Sequence, residues 1–116
     1  MKVFEVWAEN TPLAASVSMA DTFFTRFRGL MLRASPAPGE GLFLENCSAI
    51  HCMFMRFPID VIYLDRNYTV VGTETVKPWR IGHFFPGAKH VLELEAGRSA
   101  LPEIGTTIEL KERNPL

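Results

Sequence analysis

The residues best equipped for chemistry lie in one run, His51-Cys52-Met53-Phe54-Met55-Arg56-Phe57-Pro58-Ile59-Asp60. Side chains alternate along an extended strand, so His51, Met53 and Met55 share one face while Cys52, Phe54 and Arg56 share the other. An imidazole beside two thioethers is a donor set for a soft ion such as Cu(I). Alternating methionines also serve as adaptable core packing. The packing reading is preferred, and neither a metal nor a cofactor is expected. Asp60 interrupts the apolar segment IDVIYL, and a buried carboxylate is costly unless hydrogen bonds or a cation satisfy it. Arg56, Arg26, Arg28 or backbone amides would make Asp60 structural, and a bound molecule would make it a ligand contact. A histidine nearby would permit acid–base work or metal binding.

Farther along, HVLELEAG sets Glu93 and Glu95 on one strand face, opposite Leu92 and Leu94. Solvated charge is the default for both, with Glu93 kept as a candidate ligand contact. His83 and His90 have no second ligand at a recognised metal spacing and read as surface residues. Cys47 and Cys52, the only cysteines, stand five residues apart. On one strand they would face opposite ways and could not form a disulfide, so reduced thiols are expected. The sequence holds no Gly-rich phosphate loop, no G-x-S-x-G elbow, and no Ser or Cys with a readable base. Standard nucleotide and hydrolase chemistry is therefore not expected, and the balance leans away from an enzyme.

These residues must be positioned mainly by strands. The chain has 116 residues, 47% apolar and 22% charged, enough to bury one core, so residues 1–116 read as a single domain. Alternation predicts strands over residues 2–8 and 13–19, joined as a hairpin. Phe23, Phe24, Phe27, Leu30 and Met31 then recur at helical spacing behind Asp21 and Thr22, predicting one helix over residues 21–32. The stretch 35–41, SPAPGEG, reads as a loop. Further strands are predicted over 42–44, 49–55, 59–64, 68–76, 90–95 and 106–111. Asp65-Arg66-Asn67 turns 59–64 back onto 68–76, with Asn67 best able to take a positive φ. Because IDVIYL is apolar on both faces except at Asp60, it belongs inside the sheet. Residues 77–89 form a long crossing loop with Trp79, Phe84 and Phe85 as anchors. About eight short strands and one helix give a mainly β fold, a β-sandwich or partly closed barrel.

A formal charge of −1 gives no global attraction to nucleic acid or to an acidic bilayer. The N-terminal apolar residues are broken by Glu5, Glu9 and Asn10, unlike a signal peptide. The longest nearly apolar stretch, 49–55, falls far short of the roughly 20 residues of a spanning helix. A soluble, cytoplasmic protein without nucleic-acid or membrane partners is expected.

Four blocks resemble the domain of unknown function 192 family: RFRGLM at 26–31, GLFLEN at 41–46, IHCMFMRFPIDVIYLD at 50–65 and VLELEAG at 91–97. They come in the family's order and span nearly the whole chain. The resemblance implies a compact, mainly β domain of bacteria and archaea with no established activity, and a bacterial source is expected. It matches Gly29, Met31, Asp60, Glu93 and Gly97 to the family pattern, with Cys52 where Thr is common.

Three functional readings follow. The leading one is a non-enzymatic ligand-binding or accessory module, its concave surface lined by His51, Met53, Met55, Arg56, Asp60, Glu93 and Trp79. The second is a metal-dependent protein or enzyme using His51, Asp60 and Glu93. The third is a protein-docking module with Trp79 and Phe84 as anchors.

Overall fold

The computed structural model describes residues 3–20, 40–47, 58–77, 82–83, 85–97 and 100–113. Seven strands fill most of it: β1 (Val3–Ala8), β2 (Thr11–Ala20), β3 (Glu40–Leu44), β4 (Ile59–Leu64), β5 (Val70–Val76), β6 (His90–Glu95) and β7 (Ile108–Glu112). The helix expected over 21–32 and the strand expected over 49–55 lie outside the described residues.

The strands form one sheet in the order β5-β4-β6-β3-β2-β1-β7. β2 and β3 run parallel, and the other neighbours are antiparallel. The predicted N-terminal hairpin is present, with Ala8 opposite Thr11 and Glu9 in the left-handed region at φ 56°. Two register shifts between β1 and β2 add residues on the β2 side, which brings Ala14 to the same buried cluster as Val17. Such bulges strengthen strand twist.

That twist curls the sheet until its two edges meet. The start of β5 reaches the start of β7 through the Thr69–Thr107 bridge. Val70 N–H donates to the Thr106 carbonyl at 2.8 Å, and Ile108 N–H donates to the Tyr68 carbonyl at 2.8 Å. Of the two expected architectures, the partly closed barrel is the one formed. Its enclosed face carries Val6, Val17, Phe43, Ile62, Val70, Leu92 and Ile108, one residue from each of the seven strands. A second buried cluster, including Leu42, Leu44, Val61, Tyr63 and Val91, occupies the opposite, outward face of the β3-β6-β4 region. β4 is buried at every position, as expected of an internal strand apolar on both faces.

The turn from β4 to β5 differs from expectation at one residue. Tyr68 N–H closes it onto the Asp65 carbonyl at 3.0 Å, while Asp65 Oδ1 accepts from the Asn67 and Thr69 amides at 2.8 and 3.0 Å. The positive φ falls on Tyr68, at 63°, not on Asn67. A bulky residue seldom sits there. Its ring packs against Phe43 and His90, with centroids 5.4 and 5.0 Å away, which holds the backbone in place.

Candidate functional site

Of the candidate residues named from the sequence, Asp60 and Glu93 are described, whereas His51, Met53, Met55, Arg56 and Trp79 lie outside the described residues. Asp60 is 4% exposed on the enclosed face. Its Oδ1 accepts from the Thr75 hydroxyl at 2.5 Å and its Oδ2 from the Gly97 amide at 3.0 Å. The carboxylate thus ties β4 to β5 and to the turn after β6. Gly97 supplies that amide from the left-handed region, at φ 79°, where a Cβ would be strained.

Glu93 is not solvated, contrary to the default for an alternating strand. It is 8% exposed, and its cross-strand neighbours are Val61 on β4 and Leu42 on β3, both buried. Among the described residues no hydrogen bond or ion pair reaches its carboxyl group. Burial disfavours the charged form and lifts its pKa from 4.5 to about 7. Glu93 belongs to the outward face and Asp60 to the enclosed face, so these two candidates do not converge.

The outward face carries a second polar group on β5. Glu74 stands opposite Val61, in the same row as Glu93. With two strand spacings between them, the Glu74 and Glu93 backbones are about 10 Å apart. Glu74 Oε2 accepts from the Tyr63 hydroxyl at 2.6 Å and from the His83 amide at 2.7 Å. Its Oε1 meets His83 Nδ1 at 2.6 Å. Burial pushes the Glu74 carboxyl upward, but the Tyr63 and His83 hydrogen bonds outweigh it, leaving the pKa below the ordinary value. The group is therefore an ionised acceptor, and His83 Nδ1 must carry the proton it shares.

Tyr63 holds this arrangement from the core. It is fully buried, and Phe85 lies over its ring with centroids 4.4 Å apart. Gly72, the cross-strand neighbour of Tyr63, makes room for Phe85, since a Cβ at that position would overlap the ring. His83 was expected as an isolated surface residue, and 82% of its side chain is exposed. Its partner Glu74 lies nine positions earlier, across the end of β5 and the start of the crossing chain, where no local period links the two.

At the other end of the enclosed face His90 is buried, correcting its expected surface position. Its Nδ1 accepts from the Asn46 amide at 3.1 Å, so the ring is neutral with hydrogen on Nε2. Burial lowers its pKa, against the upward pull of Glu45 and Asp65. Among the described residues, no three His, Cys, Asp or Glu side chains are grouped to hold a metal ion. No helix among them is long and apolar enough to cross a membrane.

A curled, mainly β half-barrel with a polar row on its outward face is the class these features define. The DUF192 family profile, described as Uncharacterized ACR, COG1430, matches residues 5–110, and the chain belongs to that family. A UPF0127 protein of Pyrococcus horikoshii is 36% identical over 110 residues, 88% of this chain and 93% of the relative. Another from Pyrococcus abyssi is 40% identical over 101 residues, 80% of this chain and 84% of the relative. A third, from Thermococcus sibiricus, is 40% identical over 85 residues, but the chain spans only 55% of its length. These relatives are archaeal, so similarity does not assign a bacterial source. A solved structure of a Novosphingobium aromaticivorans protein of unknown function superposes with a TM-score of 0.76 at 19% identity, covering 94% of this chain and 84% of the other. A Sinorhizobium meliloti structure gives 0.70 at 21% identity, covering 94% and 92%. Both share the fold.

Proposed function

We propose that the protein is a binding module whose ligand carries a basic nitrogen on an apolar body and meets the outward face at Glu93. The observation that carries this reading is a carboxyl group buried between Val61 and Leu42 with no partner among the described residues. A bare buried carboxylate is costly, and a bound cation offsets that cost. Ligand sites characteristically combine apolar walls with a few convergent polar groups. Glu74, an ionised acceptor, shares this face, which disfavours an anion there.

The test is thermal unfolding of wild type and Glu93→Gln with hexylammonium chloride, hexanol or sodium hexanoate. The expected result is a rise in midpoint with hexylammonium alone, in wild type alone, because only a ligand favouring the native state stabilises it. No rise with the ammonium ion, or an equal rise in both proteins, overturns the reading.

A further inference from the structure

We propose that Tyr63, Glu74 and His83 form a relay that makes Nε2 of His83 a nucleophile toward activated acyl compounds. The proposal rests on the geometry at Glu74 and not on the reading of Glu93. A solvent-facing imidazole normally divides its single proton between two nitrogens. Here a carboxylate 2.6 Å from Nδ1 fixes the proton there, which leaves the Nε2 lone pair free. Because 82% of the His83 side chain is exposed while 13% of Glu74 is, an electrophile can approach the ring without displacing the carboxylate.

Three contacts make this arrangement more than a loose surface pair. The His83 amide also donates to Glu74, at 2.7 Å, so backbone and ring clasp the same carboxylate. The Tyr63 hydroxyl, at 2.6 Å, anchors that carboxylate from a fully buried ring. Phe85, packed on Tyr63 over Gly72, fixes the chain just beyond His83. A nucleophile or base whose partner is itself oriented by a third group is the arrangement that activates imidazole chemistry.

The step is acyl transfer. Nε2 attacks the ester carbonyl carbon, the bond to the aryl oxygen breaks, and the aryloxide departs with the electron pair. The acylimidazolium positive charge faces the Glu74 carboxylate across the Nδ1 hydrogen. Water then attacks the acyl carbon and the bond to Nε2 breaks with its electron pair returning to nitrogen; the proton that water loses passes to solvent, offsetting the departed aryloxide, and neutral imidazole and the carboxylic acid remain.

The probe is p-nitrophenyl acetate, followed by nitrophenolate release and by mass spectrometry of the trapped acetyl protein. Acetylation is expected at His83, with a rate roughly tenfold above that of N-acetylhistidine, below the range of a complete general-base site. Glu74→Gln and Tyr63→Phe should each slow it, and His83→Gln should abolish it. Nitrogen NMR of the wild type supplies a readout independent of rate: the His83 proton should sit on Nδ1 and redistribute toward Nε2 in Glu74→Gln. Should the wild type react no faster than N-acetylhistidine, or should its proton reside on Nε2, the proposal is overturned.

Discussion

Asp60 and Glu93 stand on adjacent strands yet face opposite sides of the sheet. The register pairs Asp60 with Leu94 and Val61 with Glu93, so the two acids are one residue out of phase. Side chains one step apart on a strand point to opposite faces. One acid accepts two hydrogen bonds inside the half-barrel, and the other is buried on its outer face with no partner among the described residues. They therefore serve different ends, and their substitutions have opposite expected effects.

For Asp60, the two hydrogen bonds predict a graded loss. Asparagine keeps one oxygen for the Gly97 amide, and its amide can donate to the Thr75 hydroxyl once that hydroxyl reverses. Asp60→Asn should lose about 1 kcal/mol, whereas Asp60→Ala, which leaves both donors unmatched, should lose about 3 kcal/mol. Urea unfolding midpoints measure both. Equal losses would mean that the charge itself, rather than hydrogen bonding, holds this junction.

For Glu93, the prediction is a pH dependence of stability. Its folded pKa, about 7, lies above the ordinary 4.5, so the folded state binds the proton more tightly. Its contribution is fully present below pH 4.5 and is lost as pH rises through about 7. Glu93→Gln cannot ionise. It should match wild type below pH 4.5 and exceed it above pH 7 by on the order of 3 kcal/mol. Parallel pH–stability curves for the two proteins would contradict this assignment.

His90 acts with the opposite sign. Burial lowers its pKa, so its stabilising contribution is present above the unfolded value of 6.5 and is lost as pH falls through the folded value. Protonation would also remove the Nδ1 acceptor that Asn46 N–H uses. Because Glu93 opposes this trend, the clean measurement is thermal unfolding in the Glu93→Gln background. There, stability should fall on acidification below pH 6.5. Adding His90→Phe should flatten that part of the curve, and an unchanged acid limb would show that another group is responsible.

These contrasts mark what local sequence can and cannot carry. Alternation within a few residues exposed the two hairpins, and the apolar run of β4 gave its internal place. Pairing of β2 with β3 and of β7 with β1 joins segments far apart in the chain, and no local period encodes it. HVLELE reads as half wet because its charges alternate, but β6 lies within the sheet and is buried on both faces from His90 to Leu94. The Glu74–His83 contact was hidden for a related reason: it bridges a strand and a loop, and neither residue interrupts a pattern in its own segment.

Tyr68 offers a direct measure of what tertiary packing overrides. At φ 63°, any residue with a Cβ is strained, whereas glycine is not. Removing the ring forfeits its contacts with Phe43 and His90 in Tyr68→Ala and Tyr68→Gly alike. The difference between the two variants therefore isolates the backbone. Glycine is ordinarily less stable than alanine because it loses more backbone freedom on folding, but at this turn position Tyr68→Gly should be the more stable of the pair by about 1 kcal/mol, with both below wild type. Urea unfolding of the three proteins decides it. An alanine variant at least as stable as the glycine variant would mean that the turn relaxes once the ring is gone, and that the Tyr68 ring sets the left-handed backbone instead of compensating for it.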